Sequence, residues 1–148
     1  MKKIYMIMLL TSISLWADFS RDDTTQIVTD SNTGLEWQDD AIGSTMNWQS
    51  AIDYCEDTLS LDGHDDWRLP NINELKTLID RSKYDPVIVR AFSNFSYSDY
   101  CSSTINKSNS NDVWIVNFGN GKVKFYNKSN EYYNNSKGYY VRCVRAGE

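Results

Sequence analysis

The chain has 148 residues, 41% of them apolar and 24% charged, with 14% aromatic side chains. That composition supports one globular domain with a real core and excludes an intrinsically disordered chain. Twenty Asp and Glu against 15 Lys and Arg give a net charge of −5, which argues against a chain built mainly to grip nucleic acid phosphate or an anionic membrane surface.

Residues 1–17 read as a cleavable secretory signal of a bacterial Sec type. Lys2 and Lys3 form the positive n-region, Ile4 to Leu10 run apolar, and Ala17 supplies a small residue at the cut. The apolar run is too short, and too broken by Thr11 and Ser12, for a membrane-spanning helix. Removing it leaves 131 residues with 13 basic and 20 acidic groups, a net charge of −7. The expected organisation is signal 1–17, an N-terminal extension 18–26 and one domain over 27–148, secreted or periplasmic, with no membrane segment after processing. Disulfides persist outside the cytoplasm, and three cysteines allow one pair and one leftover thiol. A Cys55–Cys143 pair would close a loop of roughly 90 residues, worth about 4–5 kcal/mol in the chain-entropy model. With one histidine, and no CxxC or HxxxH pair, no metal site is expected.

Along the domain, Ile27-Val28-Thr29-Asp30 and Leu35-Glu36-Trp37-Gln38 flank Ser31-Asn32-Thr33-Gly34, predicting strand, turn, strand. Trp48, Ala51, Ile52, Cys55 and Leu59 then mark one face of an amphipathic helix, with Asn47 as its N-cap. The loop that follows holds Asp62, His64, Asp65 and Asp66. They suggest a general base or a calcium site, but a lone His in a Gly/Asp loop reads better as a solvated turn, and the Asp/Asn ladder of a calcium loop is missing.

In Asp66-Trp67-Arg68-Leu69-Pro70, Trp67 and Leu69 alternate around Arg68, as in an extended piece buried on one side. Arg68 reads as a structural ion-pair residue; a buried guanidinium there needs a carboxylate partner, for which Glu74 or one of Asp62, Asp65 and Asp66 could serve. Asn71 and Glu74 predict a capping box for a short helix bearing Ile72, Leu75, Leu78 and Ile79. A hairpin follows over Asp112 to Tyr126, turning at Gly119-Asn120-Gly121, with Trp114, Val116 and Phe118 on one face. Tyr139 to Arg145 reads as a final strand. Ile105 to Asn111 and Asn127 to Lys137 read as exposed loops, the second carrying Tyr132, Tyr133 and Asn134.

Five ordered segments resemble the Lcl C-terminal domain family. They are Thr29-Asp30…Thr33-Gly34-Leu35-Glu36-Trp37, Trp48…Ala51-Ile52…Cys55, Asp66-Trp67-Arg68-Leu69-Pro70…Glu74-Leu75, Tyr100-Cys101-Ser102-Ser103-Thr104 and Val141-Arg142-Cys143-Val144-Arg145. That family is named for the C-terminal domain of a bacterial collagen-like adhesin, and the similarity covers about residues 27–146. The Trp-Arg-Leu-Pro…Glu-Leu piece is also similar to one in formylglycine-generating enzymes. The resemblance implies an α+β, C-type-lectin-like fold with two short helices and an antiparallel sheet. It implies a Cys55–Cys143 disulfide and leaves Cys101, where the family commonly carries Trp, as the odd thiol, free or joining two chains in a dimer. It assigns structural roles to Trp37, Trp48, Trp67, Arg68 and Glu74.

The namesake binds host glycosaminoglycan and matrix components, so the resemblance implies adhesion or ligand binding. The net charge weighs against a polyanionic glycan unless Lys122, Lys124, Lys137, Arg142 and Arg145 gather into a patch, and a solvated strand face is the simpler expectation for them. Two functions remain. One is a non-catalytic, lectin-like binding module without cofactor, recognising a glycan or an envelope or host protein through Tyr132, Tyr133 and Asn134. The other is an enzyme of the formylglycine-generating type, or another chemistry on the same scaffold; no cysteine matches that site and no Gly-x-Ser-x-Gly occurs.

Overall fold

Both anticipated hairpins form, and each belongs to a separate antiparallel sheet. The computed structural model describes residues 19–41, 43–129 and 138–147. The first sheet runs in the order β1 (Phe19–Asp22), β2 (Ile27–Asp30), β3 (Leu35–Gln38) and β7 (Val144–Ala146). The second contains β4 (Asp99–Ile105), β5 (Asp112–Asn117) and β6 (Val123–Asn127). Two short helices, α1 (Trp48–Asp53) and α2 (Ile72–Thr77), complete an α+β fold.

Local chemistry accounts for most of these elements. Asp30 closes the β2–β3 turn by accepting from the Asn32 amide and the Thr33 hydroxyl, and Gly34 takes the left-handed backbone the turn requires, at φ +70°. Asn47 caps α1 by accepting from the Ser50 amide at 2.9 Å. The helix predicted through Leu59 instead widens into a π turn over Tyr54–Thr58, where the Leu59 amide donates to the Tyr54 carbonyl. Apolar spacing over one turn does not distinguish the two windings. The α2 capping box forms as predicted: Asn71 accepts from the Asn73 and Glu74 amides, and the Glu74 carboxylate accepts from the Asn71 amide.

The segment read as an N-terminal extension contributes β1, which pairs Arg21 with Val28. Its four residues carry too short a pattern to show as a strand. The long final strand is also corrected: Tyr139 bridges Met46, Tyr140 bridges Tyr100 in parallel, and only Val144–Ala146 pairs with β3. This segment passes from one sheet to the other, so it cannot belong to a single ladder. Val144 also exchanges backbone hydrogen bonds with Arg68, both at 2.9 Å.

The second sheet separates two apolar clusters. Cys101 and Ile115 pair in its ladder and face the cluster holding Ala51, Cys55, Trp67 and Cys143, while Tyr100 and Val116 pair and face the cluster with Trp37, Leu75 and Leu78. Both faces of β5 are therefore covered, with Val113 and Ile115 as buried as Val116 and Phe118. Trp114 is only half-buried, resting against Phe125. Cys55 and Cys143 are disulfide-bonded, with Cα atoms 5.6 Å apart, tying α1's π turn to the C-terminal segment.

Arg68 pairs with Glu74 through two hydrogen bonds of 2.7 and 2.8 Å, with its side chain 41% exposed. Trp67 and Leu69 take the inward positions of this extended piece and leave Arg68 at the rim. Burial pushes the Glu74 carboxyl up, and hydrogen bonds from Arg68 and the Asn71 amide outweigh it, holding the group below the usual glutamate range. A depressed folded value stabilises above the unfolded pKa and is lost as pH falls through the folded one. Glu74→Gln should therefore cost about 1 kcal/mol near neutrality, modest because the pair is part-solvated. In urea unfolding across pH, that difference should shrink below about pH 4; a difference that holds or grows in acid would contradict the pairing.

Candidate functional site

Arg142 and Arg145, expected on a solvated strand face, are 4% and 5% exposed. Arg142 donates from Nη1 to Asp39 at 3.0 Å and to the Gln38 carbonyl, and from Nη2 to the Asn94 carbonyl, with its guanidinium 4.3 Å above the Phe92 ring. Asp39 is buried and also accepts from Arg21 Nε (2.6 Å) and from the Ser93 and Asn94 amides. Arg145 donates to Glu36 and to Asp66 (2.7 Å), and the hydrogen bond from Arg145 lowers the Asp66 carboxyl pKa. The folding-back of the C-terminal segment onto β3 spends both arginines on internal carboxylates, so neither contributes to a basic patch. Alternation alone could not reveal this, because each carboxylate lies far away in the chain.

The Asp62–Asp66 loop is organised by its backbone. Leu61 and His64 exchange hydrogen bonds, the His64 carbonyl accepts from the Trp67 indole N–H at 3.1 Å, and Asp66 is engaged by Arg145. Among the described residues no three His, Cys, Asp or Glu side chains gather where a metal ion could be held. Trp37 is fully buried, and its indole N–H and Arg142 Nε have no hydrogen-bond partner among the described residues.

Cys101 is a free thiol with no exposed surface, in the same apolar cluster as the disulfide. Burial pushes it up to about 12, so it holds its proton at neutral pH and offers no thiolate nucleophile. Cys101 has no exposed surface, so a second chain's sulfur reaches it only if the core opens. Tyr132, Tyr133 and Asn134, the expected recognition residues, and Lys137 lie outside the described residues.

The structure brings a different set together. A groove of about 740 Å³ is lined by Met46, Asn47, Trp48, Gln49, Ser50, Lys128 and Ser129. The Trp48 indole N–H donates to the Ser102 carbonyl at 2.9 Å, its backbone amide donates to the Lys128 carbonyl at 3.1 Å, and the Lys128 ammonium sits 4.3 Å over the indole ring. Trp48, read as a helix-face anchor, is thus half core and half groove wall. Lys128 and Ser129 were missed because no local pattern shows that the chain leaving β6 reaches the start of α1. A second hollow of about 620 Å³ lies beside Tyr84, Pro86 and Phe95.

The model of the Lcl C-terminal domain family matches residues 26–145, and the chain belongs to that family. Comparison with curated proteins finds no match. No helix among the described residues is long and apolar enough to cross a membrane.

Under native, non-reducing conditions Cys101 should resist alkylation by iodoacetamide and react once the chain is unfolded, with peptide mapping recovering Cys55 bonded to Cys143. Rapid native labelling, or Cys101 found in a disulfide, would contradict the buried-thiol assignment.

Proposed function

We propose that this Lcl C-terminal domain protein is an exported, non-catalytic binding or adhesion module that takes a glycan in the groove at Trp48. The carrying observation is the composition of that groove: an indole ring, two amides, two hydroxyls and one ammonium, with no carboxylate, imidazole or thiol in the lining among the described residues. The Trp48 ring with the Lys128 ammonium over it presents apolar and cationic surface side by side to a sugar, and Asn and Gln amides offer the paired donors and acceptors its hydroxyls need. The volume falls within the usual range of ligand pockets. Among the described residues the lining holds no carboxylate or imidazole that would serve as a general base.

Export is supported by the basic and apolar pattern of residues 1–17 and by a buried disulfide, which suits an oxidising compartment. Against a glycan array, the chain beginning at Asp18 should bind a defined subset of sugars. Ser50→Trp, which fills the groove from an exposed position, should abolish that binding, and Lys128→Ala should weaken it on the order of tenfold, with the unfolding midpoint retained. Binding unchanged in both variants would reject the groove.

A further inference from the structure

We propose a second docking surface: the outer edge of β6, built to accept an extended acidic peptide of another protein as an added strand. Among the described residues β6 pairs with β5 alone, through a register in which Lys124 faces Ile115 and Phe125 faces Trp114. The Asn117 amide donates to the Lys122 carbonyl and the Lys128 amide to the Asn111 carbonyl, so the even-numbered residues of β6 spend their backbone groups on β5. Of the odd-numbered ones, Val123 and Phe125 turn their N–H and C=O outward, where no backbone partner exists among the described residues, while the Asn127 carbonyl accepts from the Tyr139 hydroxyl.

The side chains determine which strand fits. Lys122 and Lys124 lie on one face about 7 Å apart by the strand repeat, and Lys128 follows on that face about 14 Å beyond Lys124, past Tyr126. Every ion pair among the described residues uses an arginine, so none of these lysines has a carboxylate partner there. On the other face Phe125 is 48% exposed and leans on Trp114 at 5.4 Å, extending an apolar shelf to the edge.

A second copy is a poor occupant. Antiparallel pairing of two β6 strands about Phe125 sets Lys122 of one copy opposite Lys128 of the other, and like charges directly opposite are destabilising. An incoming strand with Glu or Asp at alternate positions places carboxylates opposite the lysines, and a β-branched residue between them meets the Phe125 shelf. This surface meets the Trp48 groove at Lys128, but its test rests on Lys122 and Lys124, so it stands whether or not that groove binds a glycan.

Antiparallel addition also fixes which peptide amides are used. Residues opposite Val123 and Phe125 donate to β6, whereas those opposite the lysines point their amides away. The test is fluorescence anisotropy with a short labelled peptide alternating threonine and glutamate, using the chain beginning at Asp18. The peptide should bind saturably, lose binding when N-methylated at threonine and keep it when N-methylated at glutamate. Its binding should weaken at least about tenfold in the double variant Lys122→Glu, Lys124→Glu. Amide exchange at Val123 and Phe125 should slow when the peptide is bound. Equal binding of the two N-methylated peptides, full binding by the double variant, no saturable binding, or protection of these amides by a dimer of the chain itself would each overturn the proposal.

Discussion

A single buried carboxylate holds the molecule together. Each oxygen of Asp39 accepts two hydrogen bonds: Oδ1 from Arg142 and the Asn94 amide, Oδ2 from Arg21 and the Ser93 amide. Removing an ion from water costs several kcal/mol, and this one is tolerated because all four lone-pair directions are filled and two of the donors are cationic. Those donors come from β1, the segment before β4 and the C-terminal segment, so distant parts of the chain meet at one group just beyond β3. The disulfide reinforces the same place, since Cys143 follows Arg142 and exchanges hydrogen bonds with Gln38 next to Asp39.

That arrangement frames the surface. With Arg142 and Cys143 fixed, the C-terminal segment crosses between the sheets and reaches Met46 through a pair of Tyr139 backbone bonds, at the residue opening the Trp48 groove. The Tyr139 hydroxyl in turn donates to the Asn127 carbonyl at 2.6 Å, placing the end of β6 beside α1. Arg142 and Arg145 are consumed internally, while Lys122 and Lys124 stay at the surface of the β6 edge, which gives an acidic protein a local cationic face there. Guanidinium forks suit bidentate buried pairing, whereas a lysine ammonium is strongly hydrated and stays at the surface.

Much of the framework was legible because its signals are local. Asn and Gly in the first turn, the Asn71–Glu74 spacing and the Trp67–Arg68–Leu69 alternation each encode a backbone geometry within a few residues. The family resemblance supplied the Cys55–Cys143 pairing. What stayed hidden depends on residues far apart in the chain. Arg142 looks like any strand-face cation until Asp39, over a hundred residues away, is folded against it. The groove escaped for the same reason, since Trp48 and Lys128 come together only through the return of the chain after β6. β1 escaped because its four residues gain their meaning from pairing with β2.

The most direct test of this account is a double-mutant cycle on the pair at its centre, read by urea unfolding. Arg142→Met and Asp39→Asn should each cost about 3–5 kcal/mol, because either strands a buried partner. The double variant should cost less than the sum, by about 0.5–3 kcal/mol of coupling. Single variants within about 0.5 kcal/mol of the parent, or strictly additive effects, would show that the fold does not depend on Asp39 and Arg142.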